Sequence, residues 1–367
     1  MNPDLMDAIN QLEREKGISK EVLIEAIEAA LISGYKRNFS SAQNVRVDIN
    51  RQTGEVKVFA RKEVKEEVED PRLEISLDAA RQINPNYQLE DVVEIEVTPK
   101  DFGRIAAQTA KQVVTQRIRE AERVLIYSEF IDREDDIITG IVQRQDSRFF
   151  YIDLGKTEAL LPLNEIMPTD HLKHGDRVKA YISKVEKTTK GPQIFVSRTH
   201  PGLLKRLFEL EVPEIYDGTV EIKSVAREAG DRSKIAVHSI DENVDPVGAC
   251  VGPKGLRVQT IVQELKGEKI DIVRWSSDPS EYVANALSPS KVIKVIVNEE
   301  EKMTRVVVPD YQLSLAIGKR GQNARLAAKL TGWKIDIKNE SKALEEGIIQ
   351  PGEQLNLSEE MEENIEN

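Results

Sequence analysis

The chain has 367 residues, of which 32% are charged and 40% hydrophobic, and its formal net charge is −12. This length predicts two to four domains, each large enough for a core of its own. The single cysteine, Cys250, excludes an internal disulfide, and no apolar run approaches the ~20 residues of a membrane span. We therefore expect a cytoplasmic monomer that makes no contact with a membrane.

The first 130 residues predict a head that combines helices and strands. Two amphipathic helices are expected at 4–15 and 20–37, followed by strands at 45–50, 55–60 and 92–97. The head carries more acidic than basic residues. This balance favours a protein partner over RNA.

A long helix is predicted from about residue 101 to residue 130, because no proline interrupts this stretch. Its length and position suggest a spacer between the head and the next domain. Arg104, Gln108 and Lys111 follow an i, i+4, i+7 spacing and share one face. That face is either solvated or in contact with nucleic acid, so Arg104 and Lys111 are candidate contacts with nascent RNA.

Residues 131–199 contain short alternating segments that are typical of a small β-barrel. Five strands are predicted, at 137–143, 149–154, 158–161, 177–185 and 193–197. Alternation puts Phe149 and Tyr151 on one face of the second strand and Phe150 and Ile152 on the other. If the second pair fills the barrel, the first pair either stacks on bases or packs against a neighbouring domain.

An internal repeat of about 66 residues follows the barrel. Each copy predicts a helix, two strands, a second helix, a Gly-x-x-Gly loop, a third helix and a strand that begins Lys-Ile-Asp-Ile. The loops are Gly252-Pro253-Lys254-Gly255 and Gly318-Lys319-Arg320-Gly321. Duplication of both the loop and its flanks indicates a function beyond joining two helices.

The composition of these loops suits contact with phosphate. Glycine allows a phosphodiester to approach the backbone, and the start of the next helix attracts anions. Four cations, Lys254, Arg257, Lys319 and Arg320, can neutralise phosphates without reading bases. Pro253 has no N–H, so the first loop offers one amide fewer.

The sequence gives little support for an enzymatic function. A nucleotide-hydrolase phosphate loop is excluded, because Pro253 stands where its second glycine belongs and Gly255 where serine or threonine would hold magnesium. His171 and His174 have a spacing that could bind a metal, but no third ligand lies nearby. We predict no catalytic residue, no cofactor and no metal.

The order of elements in each repeat resembles the prokaryotic-type (type II) KH domain, whose loop holds about four nucleotides of single-stranded nucleic acid. The barrel segment resembles the S1-type OB fold in the runs Thr139-Gly-Ile-Val, Ile152-Asp-Leu-Gly, Glu158-Ala-Leu-Leu-Pro and Phe195-Val-Ser-Arg. It departs from that pattern at Pro162, where S1-type barrels often carry histidine.

The sequence of modules resembles the NusA family of bacterial transcription elongation factors over nearly the whole chain. Local runs such as Gln108-Thr-Ala-Lys-Gln-Val and Asp245-Pro-Val-Gly-Ala-Cys-Val-Gly add to the resemblance. It implies a multi-domain α+β fold with a helical α/β head, an S1-type barrel and two tandem KH domains. The predicted boundaries are 1–130, 131–199, 200–276, 277–342 and, for an acidic tail, 343–367.

The resemblance also implies a function. The head would dock on core RNA polymerase near the RNA exit channel, while the barrel and the KH units hold single-stranded nascent RNA. Such a factor modulates pausing, termination and antitermination, with other elongation and antitermination factors as further partners. The alternative is an RNA-feeding accessory of a ribonuclease assembly, which would have no need for the helical head.

The tail from Ala343 onward carries eight acidic residues and no basic residue. We expect it to be disordered and hypothesise that it covers the basic KH loops until RNA displaces it. A chain cut at Ser341 should then bind RNA more tightly at low salt than the full chain. Without the tail the net charge is about −4, so RNA binding must rely on local basic patches.

Overall fold

The structure of the chain is a computed structural model. It describes residues 6, 9–11, 13–14, 19–38, 44–100 and 102–349. Of the twelve residues of the predicted helix at 4–15, six are described and are helical, and the other six lie outside the described residues. The chain divides into two compact units, with the boundary between Ser128 and Glu129.

The first unit is the head, and it combines helices with a four-stranded sheet. Strand β2 lies at the centre, antiparallel to β1 and β4 and parallel to β3. The elements are α1 (Lys20–Asn38), β1 (Val45–Ile49), β2 (Val56–Lys65), β3 (Glu74–Ser76), α2 (Leu77–Ile83) and β4 (Val92–Glu96). The sequence analysis predicted neither β3 nor α2, and the three residues of β3 are too few to show alternation.

Helix α3 (Phe102–Ile131) is continuous, as predicted. Its first turns belong to the head and do not act only as a spacer, because Phe102, Ala106 and Ala110 are buried in the core of the head. These residues recur every four positions, and the two alanines leave room for close packing against that core, which includes Leu23 and Ile27 of α1. The structure therefore corrects the spacer interpretation for this half of the helix.

The second unit begins with a closed five-stranded barrel in the order β5-β6-β7-β9-β8. Its strands are β5 (Ile137–Gln145), β6 (Phe149–Asp153), β7 (Glu158–Pro162), β8 (Arg177–Thr188) and β9 (Gly191–Ser197). All five predicted strands are present. Phe150 and Ile152 are buried, as the alternation in β6 predicts.

The first KH unit runs from α4 to β12. Its sheet has the order β10-β11-β12, with β12 parallel to β11. The elements are α4 (Pro201–Glu211), α5 (Pro213–Tyr216), β10 (Val220–Glu228), β11 (Arg232–Ser239), α6 (Pro246–Val251), α7 (Leu256–Glu264) and β12 (Lys269–Arg274).

The second KH unit repeats this arrangement from α8 to β15. Its sheet has the order β13-β14-β15, and β15 is parallel to β14. The elements are α8 (Pro279–Ala286), β13 (Lys294–Asn298), β14 (Met303–Val308), α9 (Leu313–Ile317), α10 (Gln322–Thr331) and β15 (Lys334–Asn339). The repeat inferred from the sequence is thus a repeat of topology.

The two KH units share one hydrophobic core. The sheet of the first KH unit contributes Ala226, Ala236 and Val273 to this core. They pack with Leu326 and Leu330 of α10 in the second KH unit. The barrel is also joined to the first KH unit, since buried Arg198 binds Asp170 at 2.7 Å and donates to the Glu264 carbonyl at 3.3 Å. These contacts fix the relative positions of the barrel and both loops.

The folded chain extends beyond the predicted boundary at residue 342. Helix α11 (Glu340–Glu345) follows β15, and buried Ala343 and Ile349 pack with Val307 of β14. The prediction of disorder is therefore wrong for residues 343–349. The rest of the acidic tail, 350–367, lies outside the described residues.

Candidate nucleic-acid interface

The two Gly-x-x-Gly loops have the same backbone conformation. The first glycine has φ 72° and ψ 174° at Gly252, and φ 75° and ψ 170° at Gly318. Two residues later, Lys254 and Arg320 are left-handed, with φ of 53° and 55°. A side chain at either first glycine would be strained.

The two glycines of each loop have different surroundings. A Cβ added to Gly318 would lie 2.7 Å from the backbone nitrogen of Asn323, and one on Gly252 would lie 2.6 Å from Cγ of Arg257. Gly255 and Gly321, which start α7 and α10, have open space at that position. The first glycine therefore allows the loop to pack on its helix, and the second leaves the helix start accessible.

The helix starts also lack side-chain caps. Helices α7 and α10 begin at Gly255 and Gly321, so no described side chain caps their first-turn amides. Lys254, Lys319 and Arg320 are exposed, and none forms an ion pair with another described residue. Among the described residues, each loop thus combines accessible amides with exposed cations that no ion pair neutralises, as an anion site requires.

Apolar side chains flank these charged loops. Leu256 is 63% exposed, Leu315 46% and Ile317 37%. The apolar spacing of Leu315 and Ile317 alone would predict core residues, but the five-residue α9 buries Ala316 instead. Leu315 lines a cleft of about 540 Å³ together with Gly318, Lys319 and Arg320.

A row of side chains crosses the outer face of the barrel. Strand pairing sets Arg144 opposite Tyr151, Tyr151 opposite Leu160, Leu160 opposite Phe195 and Phe195 opposite Lys184. The Arg144 guanidinium lies 3.3 Å from the centre of the Tyr151 ring, whose hydroxyl donates to Asp146 at 2.7 Å. The predicted outward orientation of Tyr151 is thus observed, with one ring face covered by arginine.

Phe149 lies beside this row and is partly exposed. Its ring centre is 6.4 Å from that of Phe195, and the Arg148 guanidinium is 5.6 Å from it. Three aromatic rings therefore share one face of the barrel with several cations. Phe195 was not predicted as part of this surface, because its strand was recognised only as a barrel strand.

Family models match four consecutive segments of the chain. They describe the NusA N-terminal domain (4–124), the S1 RNA binding domain (131–197), the NusA-like first KH domain (198–275) and the NusA-like second KH domain (279–345). The chain belongs to the NusA family. The resemblance inferred from the sequence is confirmed, together with the S1-type and KH folds.

Curated relatives of the NusA family cover nearly the whole chain. The protein of Halalkalibacterium halodurans is 80% identical over 95% of this chain and 92% of its own length. That of Bacillus subtilis is 76% identical over 95% of this chain and 94% of its own length. Both are named transcription termination/antitermination protein, so the alternative of a ribonuclease accessory is not favoured.

Arg257 occupies a different environment from the other predicted NusA loop cations. Its Nη1 donates to the Glu214 carboxylate at 2.9 Å and to the Ala249 carbonyl at 2.6 Å. This guanidinium therefore ties α7 to α5 and α6, beneath the loop. Its contact with phosphate stays a prediction.

Asn323 takes the place of Arg257 in the second loop, five residues after the first glycine. It is buried, and its Nδ2 donates to the Leu287 and Ala316 carbonyls at 3.0 and 3.1 Å. Both residues thus return a hydrogen bond to the helix that precedes the loop. An arginine and an asparagine share no sequence signal, so the repeat alone could not show this.

Arg104, Gln108 and Lys111 are all exposed on α3, on the side away from the buried Ala106 and Ala110. The shared face predicted from their spacing is therefore present. Contact of this face with RNA stays a prediction.

The described residues contain no group of three His, Cys, Asp or Glu placed to hold a metal ion. His174 Nδ1 lies 2.6 Å from the Gln143 carbonyl. Cys250 is buried, and burial raises the pKa of its thiol to about 12. Among the described helices, none is long and apolar enough to cross a membrane.

Proposed function

We propose that both Gly-x-x-Gly loops hold the backbone of single-stranded nascent RNA in the cytoplasm. The observation that carries this proposal is the repeat of one loop conformation, with open helix starts at Gly255 and Gly321 and exposed cations at Lys254, Lys319 and Arg320. A rigid loop of this kind neutralises phosphates with little loss of conformational entropy. Such contacts fix the position of the strand without selecting its sequence.

The exposed apolar side chains beside the loops would contact bases. Leu256 next to the first loop, and Leu315 and Ile317 next to the second, lie where a strand held by its phosphates could place its bases. RNA recognition of single strands relies on bases that are unstacked and available for such contacts. The exposure of these side chains supports the proposal, because an apolar side chain left in solvent does not contribute to the hydrophobic core.

The outer face of the barrel would extend this surface by stacking. Replacing Phe149 or Tyr151 by alanine should weaken binding of single-stranded RNA by about 1–3 kcal/mol each, as loss of an aromatic platform does. The measurement is fluorescence anisotropy with a labelled oligonucleotide that spans the barrel and the KH units. Ile141, which is 50% exposed on the same barrel, provides the control Ile141→Ala. Equal effects from all three variants would argue against stacking.

We further propose that the head docks on core RNA polymerase and that the second unit holds the emerging transcript. The modulation of pausing, termination and antitermination would follow from this tethering. Support comes from the family, whose curated members are named for termination and antitermination, and from the separation of the head as a compact unit. Other elongation and antitermination factors would join the same assembly.

Capture of core RNA polymerase tests this division of labour. Residues 1–130 should retain the polymerase, and residues 131–349, which include buried Ile349, should retain RNA but much less polymerase. The full-length chain serves as the positive control. Retention of polymerase by the second fragment alone would contradict the proposal, and recovery of a ribonuclease would favour the alternative function.

A further inference from the structure

The second Gly-x-x-Gly loop is held by a carboxylate from the first KH unit. Arg325, in α10, donates through Nε to the Glu228 carboxylate at 2.6 Å and through Nη1 to the Arg320 carbonyl at 3.2 Å. Glu228 ends β10 of the first KH unit, and Arg320 is the non-glycine residue of the loop with a left-handed conformation. One guanidinium thus connects the first KH unit to the backbone of the second loop.

A second side chain strengthens the same connection. The Gln322 amide, one residue after the loop, donates to Glu228 at 2.9 Å and to Asp231 at 2.8 Å. Glu228 therefore accepts hydrogen bonds from both residues, and the one from Arg325 is the main cause that holds its pKa below the usual range. The partly buried carboxylate stays charged and keeps both donors in place.

Within the described part of the chain, no comparable hydrogen bonds join the first loop to the neighbouring KH unit. The residues in the places of Gln322 and Arg325 are Leu256 and Gln259, and both are exposed. Since the two loops share one backbone conformation, the difference lies in what holds each loop to its surroundings. It is the second loop that depends on the neighbouring KH unit.

We infer that Glu228 is a positioning residue for RNA on the second loop, acting through Arg325. The inference rests on the proposed function, because it assumes that this loop binds phosphate. Glu228 itself would touch no RNA. It would hold the Arg320 carbonyl, and with it the Lys319 and Arg320 side chains, in the orientation that phosphate needs.

The sign of the effect separates positioning from simple electrostatics. Glu228 and Asp231 line the same cleft as Lys319 and Arg320. Removing a negative charge from this cleft should tighten binding of an anionic strand if charge alone matters. A positioning role predicts the opposite, because the loop loses its anchor.

The test is Glu228→Gln in the full chain, with affinity for a labelled single-stranded RNA as the readout. We expect binding to weaken by about threefold to thirtyfold, in the range of coupled charged hydrogen bonds. Arg325→Lys should weaken it as well, since lysine keeps the charge but cannot reach both acceptors. The matched control is Glu221→Gln, which removes the same charge near the other end of β10.

A double-mutant cycle locates the effect. Glu228→Gln should lose its effect when the second loop is disabled by Lys319→Asp with Arg320→Asp. It should keep its effect when the first loop is disabled by Pro253→Asp with Lys254→Asp. Equal effects in both backgrounds, or tighter binding by Glu228→Gln, would overturn the inference.

The proposed function and the inference can fail separately. If disabling the second loop leaves RNA affinity unchanged, the proposed function fails at that loop. If disabling it weakens binding while Glu228→Gln and Arg325→Lys bind like the natural sequence, only the positioning role is refuted. Thermal unfolding of each variant, followed by circular dichroism, shows that the fold is intact.

Discussion

Replacing Lys319 and Arg320 together by aspartate should weaken binding of single-stranded RNA about tenfold to hundredfold. The change reverses two exposed charges beside the open helix start at Gly321, so phosphate is repelled where it was attracted. The equivalent change of Pro253 and Lys254 should weaken binding less, because the first loop gives up only one cation. Fluorescence anisotropy at several salt concentrations measures both effects, and the slope of log affinity against log salt should become shallower by about 0.7 for each phosphate that is no longer neutralised.

The loop variants should keep their fold. All four positions are exposed, and aspartate tolerates the left-handed conformation that Lys254 and Arg320 adopt. Lys302→Asp, on the exposed turn between β13 and β14, controls for the change in overall charge when compared with Lys319→Asp alone. If the two single variants weaken binding equally, affinity depends on net charge and not on the loop.

Replacing Glu268 by alanine should lower the free energy of unfolding by about 3–5 kcal/mol, because it leaves a buried guanidinium without its partner. The Arg227 and Glu268 side chains are both 0% exposed and are joined by two hydrogen bonds of 2.9 Å. Ser233 Oγ and the Gly230 amide also donate to this carboxylate, at 2.6 and 2.8 Å. Since Arg227 also donates to the His200 carbonyl, the substitution weakens the attachment of α4 to the sheet.

Urea unfolding monitored by tryptophan fluorescence measures this change, because Trp275 and Trp333 both pack in the core shared by the KH units. Glu221→Ala is the matched control, since Glu221 lies on β10 like Arg227 but is paired with Lys223 near the surface. We expect the control to leave the unfolding midpoint nearly unchanged. A similar small effect of Glu268→Ala would show that water or another residue satisfies Arg227.

Local patterns in the sequence were sufficient for the repeated elements of the fold. The period of alternation predicts the five barrel strands, and the duplicated Gly-x-x-Gly loops predict the two KH units. These features depend on residues that are close in the chain, where a glycine or an apolar spacing has a direct conformational consequence. The barrel face of Phe149 and Tyr151 follows from the same reasoning.

The same local reasoning failed where burial depends on a distant partner. Leu315 and Ile317 have the spacing of core residues, yet α9 is too short to turn them towards the sheet. Ala343 and Ile349 stand in an acidic segment, yet Val307 gives them an apolar surface to cover. Composition cannot show such a surface, because it is assembled only when the sheet forms.

The sequence by itself therefore determined the family, the order of modules and the two Gly-x-x-Gly loops. The tertiary structure decided which charged side chains are exposed and which form ion pairs and hydrogen bonds with other elements. Glu268 is fully buried, although it directly follows the polar segment Lys266-Gly267. Glu228 accepts a hydrogen bond from Arg325, which lies 97 residues further along the chain. The partner of a charged side chain depends on how distant elements pack, and local periodicity carries no information about that packing.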